Sequence, residues 1–80
     1  MPEEVLFKIE ERRSRTKIAA VLRDAAEQIE SGTVQLRGET ATRDVTIPEN
    51  PRFEVELERL TDSETGEQRY ELEYEIRWTE

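Results

Sequence analysis

The 80-residue chain contains no cysteine and no histidine. The first absence excludes a disulfide framework and a thiolate nucleophile, and the second removes the commonest metal ligand and the commonest general base. Glycine and proline are scarce, at three residues each, and no Gly-rich phosphate loop or serine-nucleophile motif can be found. No apolar run approaches the roughly 20 residues of a membrane helix, and Met1-Pro2-Glu3-Glu4 is not the basic and then apolar start of a secretory signal. A cytoplasmic chain that makes no membrane contact is expected. Lysine is also rare, with Lys8 and Lys17 against ten arginines.

What is abundant is acid. Twenty Asp and Glu face twelve Lys and Arg, giving a net charge of −8 and a pI near 4.6. Such a charge repels a nucleic-acid backbone from most of the surface, although a local basic patch can still make contacts. High acidity with little lysine fits either adaptation to concentrated salt, where screening removes the self-repulsion, or an ordinary acidic mesophile domain. Charged residues make up 40% of the chain and hydrophobic ones 34%, a composition toward the disordered end, yet the apolar residues are strictly patterned, so the chain is expected to fold. Its length allows one domain, spanning residues 1–80.

Val5, Phe7 and Ile9 alternate with Leu6, Lys8 and Glu10, which predicts a short first strand. From Ser14 the period changes. Ile18, Val21, Leu22, Ala25 and Ile29 line one side of a helix, with Lys17, Arg23, Asp24, Glu27 and Glu30 on the other. Ser14 or Thr16 can cap its start, and Gly32 suits a left-handed stop. Val34 with Leu36, and Val45 with Ile47, predict two short strands separated by a turn from Gly38 to Thr42, and Pro48 ends the second. After Asn50-Pro51, Phe53, Val55 and Leu57 alternate with Glu54, Glu56 and Glu58. A polar loop from Asp62 to Glu67 then leads into the clearest alternation in the chain, with Tyr70, Leu72, Tyr74, Ile76 and Trp78 on one face and Glu71, Glu73, Glu75, Arg77 and Thr79 on the other. The fold expected is α+β and two-layered, one amphipathic helix packed on one face of a mainly antiparallel sheet in the order β-α-β-β-β-β.

Ser14-Arg15, Ile18-Ala19-Ala20, Leu22-Arg23, the Gly32 break, Pro51 with Phe53-Glu54-Val55-Glu56, and the alternating tail ending in Trp78 together resemble the amphi-Trp domain family of the haloarchaea, over roughly residues 3 to 79. The resemblance implies a compact domain from a halophilic cytoplasm. It brings no activity, cofactor or catalytic residue.

Three constellations stand out. Glu54, Glu56 and Glu58 would share a sheet face with Glu71, Glu73 and Glu75 if their strands pair, either as a hard-cation site or as a solvated face with Arg59, Arg69 and Arg77 as cross-strand partners; the solvated face is the reading favoured, because EF-hand spacing is absent. Arg12, Arg13, Arg15 and Lys17 form the one basic cluster, at a helix start where positive charge opposes the macrodipole. They are candidate contacts for an acidic partner or a phosphate, unless Glu3, Glu4, Glu10 and Glu11 neutralise them. Trp78 is expected in the core. No catalytic, metal-binding or cofactor-binding residue is expected. The chain reads as a non-enzymatic interaction module with a protein partner, a second copy included, joined through an edge strand or a second sheet face around Leu6 and Leu60. The alternative is a nucleic-acid-associated or regulatory accessory protein that uses the cluster at residues 12–17.

Overall fold

A computed structural model describes residues 2–80. Its elements run α1 (Arg15–Ser31), β1 (Thr33–Arg37), β2 (Thr42–Thr46), β3 (Arg52–Thr61) and β4 (Gln68–Arg77). The class is α+β. The strands make two two-stranded antiparallel sheets, β1 with β2 and β3 with β4, where one sheet was expected. Pro48 and Pro51 have no N–H to give to a ladder, and the chain bends between them. The chain divides into two compact units, Met1–Glu49 and Asn50–Glu80.

In the first unit Ser14 is extended, and its Oγ accepts from the Lys17 amide at 3.2 Å, satisfying one orphan donor of the helix start. After seventeen helical residues Gly32, at φ 99°, closes the helix by donating to the Gln28 and Ile29 carbonyls. An L-residue rarely adopts that conformation, hence the glycine. Val34 pairs with Val45 across the short sheet and, at 9% exposure, is its buried centre. The helix is fastened to β1 by a side chain: the Gln28 amide oxygen accepts from the Gln35 backbone N–H at 2.7 Å, while its nitrogen donates to Asp24 at 2.8 Å.

The strand predicted at residues 5–9 does not form, and the chain from residue 2 to Ser14 is irregular. With Leu6 interrupting the alternation and no ladder partner, the segment is positioned by a side chain instead. Phe7 is half-buried and lies so close to Gly38 that a Cβ there would meet its ring at 3.3 Å.

The second unit is one long hairpin. Phe53 pairs with Ile76, Val55 with Tyr74, Leu57 with Leu72 and Arg59 with Tyr70, while Glu54, Glu56 and Glu58 lie opposite Glu75, Glu73 and Glu71. Because side chains alternate along a strand, one face is apolar until Arg59 and the Thr61–Gln68 pair at its loop end, and the other carries six carboxylates. The connecting loop is built on Asp62. Its carboxylate accepts from the Glu64 and Thr65 amides and its backbone bonds Glu67 and Gly66, with Gly66 taking the positive φ of 76° that the turn needs.

Candidate interaction surface

The two faces of the β3–β4 hairpin differ in chemistry and in cover. On the carboxylate face, Arg77 reaches Glu54 at 2.7 Å and its strand neighbour Glu75 at 3.2 Å, so it neutralises one of the three cross-strand pairs. Among the described residues no ion pair reaches Glu56–Glu73 or Glu58–Glu71. Of the other expected partners, Arg69 lies opposite Leu60 and Arg59 opposite Tyr70, on the apolar face. Hydrogen bonding to Glu58 and Glu54, together with their repulsion, pushes the Glu56 carboxyl up to about 7, because a proton shared along the row relieves like charge. Among the described residues no group of three or more acids is placed to hold a metal ion.

The apolar face is open to water. Phe53, Val55, Leu57, Tyr70, Leu72 and Tyr74 are 53–69% exposed, whereas Glu54 and Glu56, between them in sequence, are half-buried. Phe53 and Tyr74 stack across the strands with ring centroids 6.3 Å apart. The face is therefore pre-ordered, yet its area remains in water. Trp78 was expected in the core. It lies one residue beyond β4 at 36% exposure, beside Arg52, Ile76 and Thr79, because the ladder stops at Arg77 and no strand residue stands opposite it.

The basic cluster is split by the helix start. Arg12 and Arg13 precede α1, while Arg15 and Lys17 lie in its first turn, and all four are exposed. Arg13 is paired with Glu11, so one acid of the same segment neutralises part of the cluster, while Glu10 pairs at 3.7 Å with Lys8 outside it. Leu6 stands in irregular chain and Leu60 on the carboxylate face, which leaves no second apolar face around the two. The roles of Gln28 and Asp62 were not foreseen. Gln28 could have been noticed as a polar residue three positions on from Ala25 along the apolar stripe, and Asp62 as an acid four residues before a glycine.

A short capped helix tied to a small hairpin, followed by a long hairpin with one apolar and one acidic face, gives the chain its α+β class. A family model, the Amphi-Trp domain, matches residues 1–80, and the chain belongs to that family. No curated protein and no solved structure matches it. No helix of the described residues is long and apolar enough to cross a membrane.

Proposed function

We propose that the chain is a non-enzymatic protein-interaction module of a salt-rich cytoplasm and that the apolar face of β3–β4 is its contact surface. The observation that carries this reading is the exposure of the apolar residues of β3, Phe53, Val55 and Leu57, which are more open to water than Glu54 and Glu56 between them. An isolated two-stranded hairpin is at best marginally stable in water, and contiguous exposed apolar surface marks an interaction site. The net charge of −8 and the arginine-for-lysine usage support the salt-rich setting, in which unpaired glutamates are screened.

The test is affinity capture from native extract in molar KCl with three tagged chains: wild type, Leu57→Arg on the apolar face, and Glu73→Gln on the other. A defined protein retained by wild type and Glu73→Gln but lost by Leu57→Arg is the expected result. Identical retained sets would remove the apolar face as the contact surface. Nucleic acid retained in its place, and released steeply as salt rises, would transfer the function to Arg12, Arg13, Arg15 and Lys17.

A further inference from the structure

We infer that the partner of this face is a second copy of the chain, the two hairpins packing apolar face to apolar face with their loops at opposite ends; the inference rests on the interaction reading above. Three observations support it.

The first is area. Six side chains that are 53–69% exposed present on the order of 700 Å², given the ~150–250 Å² that an aromatic side chain can bury. A standard interface takes about 800 Å² per partner. The face by itself comes close to that, and it is self-complementary, as a two-fold contact requires.

The second is charge. The apolar face carries one ionised group, Arg59, so a strongly charged partner would find almost nothing to pair with. The common alternative for a hairpin is to extend its sheet through an edge strand, and this would set Glu71, Glu73 and Glu75, or Glu54, Glu56 and Glu58, beside their own copies. Like charges directly opposite one another oppose such pairing. Face-to-face packing turns all the glutamates outward.

The third is the position of that one cation. Leu57 and Leu72 pair at the centre of the ladder, with Arg59–Tyr70 on the loop side and Val55–Tyr74 on the other. Were both loops at the same end, β3 of each copy would lie over β4 of the other, with Arg59 over the single ring of Tyr70 and both Arg59 side chains crowded at one end of the contact. With a two-fold axis running across the strands through Leu57–Leu72, the two Arg59 side chains lie at opposite ends and each falls over the other copy's Val55–Tyr74 pair, beside the Tyr74 ring that stacks on Phe53, where a guanidinium is attracted to ring faces.

The native chain has no cysteine, so single-cysteine variants report on contact cleanly. Leu72→Cys and Glu73→Cys are neighbours on opposite faces of β4. Under mild oxidation in molar KCl, Leu72→Cys is expected to form a disulfide-linked dimer and Glu73→Cys to stay monomeric, with unchanged far-ultraviolet circular dichroism in both. Equal linkage of the two, or none in either, overturns the face-to-face arrangement. Sedimentation equilibrium of the unmodified chain from micromolar to millimolar concentration supplies the second measurement. The dimer should tighten by about tenfold or more from dilute buffer to molar KCl as repulsion between two copies of net charge −8 is screened, and Arg59→Ala should weaken it by about twofold to tenfold. A chain that stays monomeric at every concentration overturns the second copy, while the capture experiment still decides whether the face binds another protein.

Discussion

The two units solve the same problem with unequal means. The first closes a helix with Ser14 and Gly32, ties it to β1 through Gln28 and Gln35, and buries Val34. The second has longer strands and more aromatic residues, yet Phe53, Val55, Leu57, Tyr70, Leu72 and Tyr74 stay more than half exposed. Strand length and good alternation therefore do not make a core. They make a face, and its worth depends on what covers it. The difference also separates the kinds of hydrogen bond. Side chains fasten backbone in the first unit, whereas in the second, outside the loop, the ladder and one arginine hold the strands together.

The largest effect that tests this contrast comes from the same substitution in each unit. Val34→Ala removes two methyl groups from a buried site and should cost about 2 kcal/mol in denaturant unfolding. Val55→Ala, assayed at a concentration too low for association, should cost less than about 0.5 kcal/mol, as exposed positions do. Similar losses for both would show that the hairpin face is covered even in dilute solution. Next in size is Gly32→Ala, which forces an L-residue to φ 99° and should lower stability by about 1–2 kcal/mol, with amide protection falling first at the end of α1. Ser14→Ala removes the cap that accepts from Lys17 and should cost about 1 kcal/mol; protection lost in β3 and β4 and not in α1 would contradict the division into units.

The subtlest expectation concerns pH. The Glu56 carboxyl is raised from 4.5 to about 7 in the folded hairpin by Glu58 and Glu54, so between those values the folded state binds more protons than the unfolded one. Its contribution is complete below pH 4.5 and is lost as pH rises through 7, which makes the hairpin harder to open at pH 5.5 than at pH 8. Carboxyl chemical shifts should place the Glu56 midpoint near neutrality in dilute buffer and lower it in molar KCl and in Glu58→Gln. An ordinary carboxylate midpoint in dilute buffer would refute the coupling.

Much of this was legible in the residues. Gly32 announced the end of the helix and Ser14 or Thr16 its start, with Ser14 the one that caps, since each solves a local hydrogen-bonding or dihedral problem that few other residues solve. The shared face of Glu54, Glu56, Glu58, Glu71, Glu73 and Glu75 followed from alternation once the strands were paired. The failures are long-range. Val5, Phe7 and Ile9 alternate like a strand, but a strand needs a ladder partner, and periodicity names none. Trp78 continues the apolar stripe of Tyr74 and Ile76, and its 36% exposure shows that a stripe states which side is apolar and not what lies against it. Whether four strands form one sheet or two depends on pairings between distant segments, on which Pro48 and Pro51 bear only indirectly.

The opposition of the two hairpin faces has a further consequence, for the act of folding. A slip of one residue between β3 and β4 would bring glutamates of one strand onto the same side as Leu72 and Tyr74 of the other. A slip of two would keep the faces apart, but it would break the Arg77–Glu54 pair and the Asp62 turn. Each wrong alignment meets its own penalty, so the hairpin checks its own assembly as it closes. The six glutamates that weaken the finished sheet by mutual repulsion are also the marks by which the chain rejects a misreading of itself.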